Sequence, residues 1–211
     1  MNKRTKTTLR RWCLYGWTFA KWTMAASAIG VVCGLIGTMF HFGVHEVTAF
    51  RGTHPWVLYL LPLAGFVIVS FYKLTETDGL GTDDIIDAVH EGKRLPILLL
   101  PAIFFGTVLT HLCGGSAGRE GAALQMGGSI GYNIARTFRL DDRDLRVATL
   151  AGMAAFFSAL FGTPLAATVF AIMVISIGVI YHVALYPSLL AALVAYGVSV
   201  RLGVEPTRFT V

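Results

Sequence analysis

Arg119 and Glu120 stand side by side in Gly114-Gly115-Ser116-Ala117-Gly118-Arg119-Glu120-Gly121, a glycine-rich stretch between two apolar runs. Ionisable groups set among hydrophobic segments are costly to bury, and they mark a site where they do something. Glycine lets the backbone turn tightly and leaves amide N–H groups uncovered. At a helix start those amides, with the aligned peptide dipoles behind them, attract a dehydrated anion without a full positive charge. Oriented amides bind it weakly enough to release it, whereas a bare lysine would hold it. The Glu120 carboxylate is itself an anion: ionised, it competes for the same amides, and protonation releases it. A structural ion pair between Arg119 and Glu120 is the alternative reading of the same dipeptide.

A second glycine-jointed loop, Gly79-Leu80-Gly81, interrupts the apolar spans and feeds a short helix. Two broken helices aimed at one place are a common way to build an ion site near the bilayer midplane. Other residues carry weaker chemistry. His41 and His45 share a helix face at i,i+4, but Glu46 points elsewhere, so packing or interfacial hydrogen bonding is preferred to a metal site. The alternating charges of Asp141, Asp142, Arg143, Asp144 and Arg146 read as a solvated helix cap that neutralises itself. Gly114-Gly115-Ser116-Ala117 fits the loose serine motif of intramembrane proteases, with His182 as a base, yet that reading leaves Arg119-Glu120 unexplained. No Gly-Lys-Ser/Thr ending makes the glycine loop a nucleotide site.

The elements that must hold these residues are transmembrane helices. Of 211 residues 55% are hydrophobic and 14% charged, and the mean hydropathy is +0.67, outside the range of ordinary soluble domains. Several apolar stretches approach or exceed the roughly 18 to 20 residues that cross about 30 Å of hydrocarbon. The net charge of +5 is crowded toward the start, in Lys3, Arg4, Lys6, Arg10, Arg11 and then Lys21. This is a positive-inside signal that predicts a cytoplasmic N-terminus in a multi-pass cell-membrane protein, and no base-reading module follows it. Cys13, Cys33 and Cys113 have no metal-type spacing and read as packing residues.

Residues 1–24 are expected to form a basic interfacial segment, and residues 25–211 a multi-helix transmembrane domain. Spans are predicted over 25–50, 56–74 and 96–113, with a short helix at 83–90. The glycine-rich segment 119–138 is a poor lipid-facing helix and must be packed inside protein. Helices over 147–162 and 164–178 follow, Pro164 suiting a first helical turn, then a run over 179–203. The chain reads as unfinished at Val211.

Gly118-Arg119-Glu120-Gly121, with Gly114-Gly115-Ser116 before it and Gln125-Met126-Gly127 after it, resembles the gating-glutamate motif of the chloride-channel (CLC) family. Phe161-Gly162-Thr163-Pro164, continuing to Phe170, is similar to a later helix start in that family, and Gly79-Leu80-Gly81 sits where its first selectivity motif lies. The resemblance implies an all-α integral membrane protein made of two inverted repeats with broken helices, of which this chain covers the first. It implies an anion channel or proton-coupled antiporter, normally a homodimer, without a cofactor and not an enzyme. Chloride stands first as the ion and fluoride remains open. Glu120 is the implied gate, and Gly79, Leu80, Gly81, Gly118, Arg119, Gly121 and Ala122 the implied anion-binding residues.

Departures from the pattern matter. Leu80 replaces a chloride-binding serine, as fluoride-transporting relatives also depart there; Thr82-Asp83 replaces Ile-Pro; Ala122 replaces a proline. Met173 and Val174 stand where chloride–proton antiporters carry an internal proton-relaying glutamate. The second half of the fold is expected from a C-terminal partner, or else the chain is a non-transporting fragment or an antiparallel self-pairing half.

Overall fold

No proline interrupts the chain before Pro55, and the first helix runs unbroken from Lys3 to Thr53. The computed structural model describes residues 3–175 and 181–205, and side chains from Tyr15 onward. Helix α1, Lys3–Thr53, is 51 residues long, about 77 Å at the usual rise per residue. The expected change from interfacial segment to first span at residues 24 and 25 is therefore no break in secondary structure. The side chains of Lys3, Arg4, Lys6, Arg10, Arg11 and Cys13 lie outside the described residues.

A 3₁₀ turn, Pro55–Leu60, leads into α2, Leu61–Leu74. The short α3, Thr82–His90, follows the Gly79–Gly81 loop. Then come α4, Leu99–Leu112, α5, Arg119–Thr137, α6, Asp142–Phe161, and α7, Pro164–Val174. A second 3₁₀ turn, His182–Ala184, opens α8, Leu185–Arg201. The expected ends near residues 178 and 179 fall outside the described residues, as does the tail 206–211. Among the described residues there is no strand.

Among the described residues, four segments are long and apolar enough to cross a bilayer: Tyr15–Thr53, Pro55–Leu74, Asp142–Phe161 and His182–Arg201. Helices α4 and α7 are shorter apolar pieces. Helix α6 is the axle of the bundle, with Leu150, Met153 and Phe156 fully enclosed by α1, α3, α5, α7 and α8. Lys21 at the start of α1 pairs with Asp144 in the first turn of α6, and Arg51 near the end of α1 donates to the carbonyl of His111 near the end of α4 at 2.7 Å. Helices α1, α4 and α6 therefore run parallel. Helix α5 runs against them, since Gly127 meets Gly152 of α6 while Gly131, one turn on, meets Ala148.

The charged run at residues 141–146 sits at the start of α6, with Asp141, Asp142 and Arg143 exposed as a solvated cap should be. Asp141 holds the N-cap position of α6 without a side-chain cap bond, and Asp142 and Asp144 sit in the first turn, where carboxylates suit the helix dipole. Asp144 takes its cation from α1 rather than from its own run. Cys33 and Cys113 are buried and unbridged, as packing residues should be; the Cys33 thiol lies 3.7 Å from the Gly152 carbonyl.

Helix α5 is enclosed, as its poor lipid-facing composition required, because its glycines let two backbones touch. A Cβ on Gly152 would lie 2.0 Å from the Gly127 carbonyl oxygen, and one on Gly131 would lie 2.1 Å from that of Ala148. Such small-residue contacts are how helices associate where lipid removes the hydrophobic drive. Gly152→Val should thus push α5 off α6 and destabilise the chain by about 3 kcal/mol or more, the upper end for overpacking because backbone cannot step aside. Thermal unfolding in detergent reads this, with the open Gly65 changed to Ala as control. Equal melting of Gly152→Val and the parent would show that the two helices are not in backbone contact.

Candidate anion site at two helix starts

The Gly114-Gly115 turn carries the chain from α4 to α5. Gly114 has φ +80°, and a Cβ there would lie 2.1 Å from the Leu58 side chain. Gly118 then holds the N-cap position of α5 in extended conformation, with no side-chain cap. In an α-helix the N–H groups of the N-cap residue and the first three helical residues have no intrahelical acceptor. Here these belong to Gly118, Arg119, Glu120 and Gly121. Ala122 follows them at the next position, and its buried methyl joins the core.

The start of α3 abuts this helix end. A Cβ on Gly121 would lie 3.6 Å from the Thr82 hydroxyl, and the Gln125 side-chain amide donates to that hydroxyl at 3.0 Å. The two glycine-jointed loops thus bring two helix N-termini together through Gln125 and Thr82, 43 residues apart in sequence but adjacent in space. Thr82 and Gln125 fasten them, and neither stood among the expected site residues. Gln125 belongs to the same motif as Glu120, and a polar side chain about two turns into a buried helix was the available signal.

The two starts are not equivalent. Asp84, in the first turn of α3, accepts a hydrogen bond from the Gly81 N–H at 2.8 Å and pairs with Lys93. That Lys93 bond, and then the Gly81 amide, hold the Asp84 carboxyl below its usual range, while Asp84 raises the Lys93 ammonium. The Leu80 N–H donates to the Thr77 carbonyl at 3.3 Å, and the Leu80 side chain leans on the core. Of the first loop, Gly79, at φ +77° with open space around it, makes the turn, and Gly81 and Leu80 have committed their amides within the chain. An acid three residues into a helix is half of a capping box, which was the sequence signal for Asp84.

Glu120 folds back over its own helix start: one carboxylate oxygen lies 2.8 Å from where a Gly118 Cβ would stand. Gly118, Arg119 and Glu120 are all exposed on this face. Among the described residues no ion pair joins Arg119 to Glu120, so the structural-pair alternative is not what the side chains adopt. Arg119 sits instead within electrostatic range of His41, which makes an edge contact with Phe42. His45 is exposed, 3.7 Å from Glu46. Ser116 and His182 share no hydrogen bond among the described residues. Met173 and Val174 close α7, Met173 exposed.

A family model described as voltage gated chloride channel matches residues 63–211. A chloride/fluoride channel protein of Pseudomonas syringae pv. tomato is 38% identical over 194 residues, covering 91% of this chain and 43% of that protein. An H(+)/Cl(−) exchange transporter ClcA of Cronobacter sakazakii is 34% identical over 71% of this chain and 35% of its own length. Among solved structures, a CLC-type fluoride/proton antiporter superposes with a TM-score of 0.86 at 36% identity over 90% of this chain and 49% of the other. A slow cyanobacterial Cl−/H+ antiporter shares the fold, with a TM-score of 0.71 at 22% identity. The chain spans about half the length of the relatives it matches, and those relatives are channels, exchangers and antiporters rather than enzymes. With its all-helical bundle and its membrane-length segments, this chain is a multi-pass membrane protein of the voltage-gated chloride channel (CLC) family, covering the first of its two repeats.

Proposed function

We propose that the chain supplies one half of a halide pathway, with the ion resting against the uncapped start of α5 and Glu120 competing for the same place. The observation that carries this is the Glu120 carboxylate folded back over Gly118 at a helix end that no side chain caps. The donors are the amides of Gly118, Arg119, Glu120 and Gly121, and the guanidinium of Arg119 adds long-range attraction. At the start of α3 Asp83 repels an anion and Asp84 takes up the Gly81 amide, so that loop acts as a wall and a filter more than as a second cradle.

Fluoride moves ahead of chloride in this reading. A leucine at position 80 offers no hydroxyl, and two of the compared proteins, at 38% and 36% identity, carry fluoride in their names. Protons are the natural counter-substrate for a site gated by a carboxylate. The N-terminus is cytoplasmic: Lys21, Lys73, Arg94, Arg136, Arg139 and Arg143 fall at the end of the bundle where α1 begins, while Arg51, Arg119 and Arg201 fall at the other. The same bias disfavours an antiparallel pair of copies, which would set half of the basic ends outside. A C-terminal half is the partner that closes the pathway, and the complete assembly pairs as a homodimer.

Liposomes test this directly. The chain alone should release neither fluoride nor chloride above the protein-free rate. Together with the C-terminal half of the Pseudomonas relative it should release fluoride faster than chloride. Absence of halide flux in both preparations would sink the proposal, and flux from the chain alone would show a self-completing half.

A further inference from the structure

A groove of about 770 Å³ runs between α1, α4 and α5, lined by Val32, Ile36, Leu100, Ile130 and Ile134 and ending at Arg136. At that end a second, polar cavity of about 220 Å³ opens, lined by Gly92, Arg94, Tyr132, Arg136 and Asp142 among others. Arg136 borders both, so the apolar groove passes into the basic cavity across one guanidinium. Its volume lies in the roughly 300 to 1,000 Å³ range of sites that enclose most of a small ligand. The other polar groups at the mouth are already committed: Asn133 donates to the carbonyls of Leu95 and Ser129, and Thr137 donates to that of Asn133. Among the described residues Arg94, Arg136 and Asp142 enter no ion pair. The charged lining, two arginines against one aspartate, leaves one positive charge.

We infer that this compound site holds a singly charged glycerophospholipid, its acyl chain in the groove and its phosphodiester against Arg94 and Arg136. An apolar groove that ends at one guanidinium, with a second in the adjoining cavity, matches an amphiphile in both shape and charge. Both arginines sit at the end of the bundle where Lys21 meets Asp144, which is where basic pockets between membrane helices take anionic headgroups. Arg136 sets the headgroup depth, and Asp142 limits the cavity to a single negative charge. A protein segment is the competing occupant, and it would not require the unpaired guanidiniums.

Native mass spectrometry of the chain in detergent, with phosphatidylglycerol or phosphatidylcholine of equal chain length, tests the inference. Phosphatidylglycerol should be retained at least about tenfold more than phosphatidylcholine. The double change Arg94→Gln with Arg136→Gln, both exposed positions, should bring the two lipids to within about twofold. Val32→Trp, which fills the groove and leaves the guanidiniums in place, should lower retention of both lipids. Equal retention of the two lipids by the parent chain, or phosphatidylglycerol retention that ignores the double change, would overturn the inference.

Discussion

Glu120→Gln, in the complete assembly, is expected to make halide flux insensitive to external pH and to uncouple it from protons. The amide is close in size to the carboxyl and keeps a carbonyl oxygen, but it carries no charge at any pH. It therefore cannot compete electrostatically for the amides at the start of α5, and it has no proton to pass. A single titrating gate changes the open fraction up to about tenfold per pH unit on one side of its transition. The parent should show that slope in fluoride efflux over part of its range, and the variant should show a flat line at the protonated rate. The geometry makes the test sharp, because Glu120 has no side-chain partner among the described residues whose loss would complicate the result. A variant whose pH profile superimposes on the parent's would take the gating role away from Glu120, leaving the helix start as a static binding place.

Much of this arrangement was legible in the sequence for a local reason. Glycine and proline mark where membrane helices start, so α3, α5 and α7 begin within a residue of where Gly81, Gly118 and Thr163-Pro164 place them. The burial of α5 followed from its many glycines, which leave too little apolar side chain to face lipid. What stayed hidden depends on partners far along the chain. Lys21 reads as part of a headgroup-facing tail until Asp144, 123 residues away, is seen to hold it. The continuity of α1 follows from the absence of any helix-breaking residue, a weaker cue than the change from basic to apolar composition that suggested a boundary. At the site, the capture of the Gly81 amide by Asp84 is a local three-residue motif, masked by the expectation that both glycine loops would offer free amides.

That asymmetry gives the second large effect. Leu80→Ser should raise chloride transport relative to fluoride by up to about tenfold, judged from efflux of the two ions measured in the same liposomes. A hydroxyl donating to an anion is worth about 1.5 kcal/mol at the low end for a hydrogen bond to a charged group, and that converts to roughly one decade in relative affinity. The leucine now leans on the core and its N–H is held by Thr77, so the exchange removes a small amount of packing without disturbing the backbone turn made at Gly79. A serine hydroxyl on this loop would add a neutral donor beside the acidic start of α3. Chloride, larger and more easily stripped of water, gains from one such neutral donor; fluoride, which holds its hydration more strongly, gains less. An unaltered ratio, with total flux preserved, would mean that the Gly79–Gly81 loop lies off the ion's path and that the α5 start acts with groups from the facing half alone.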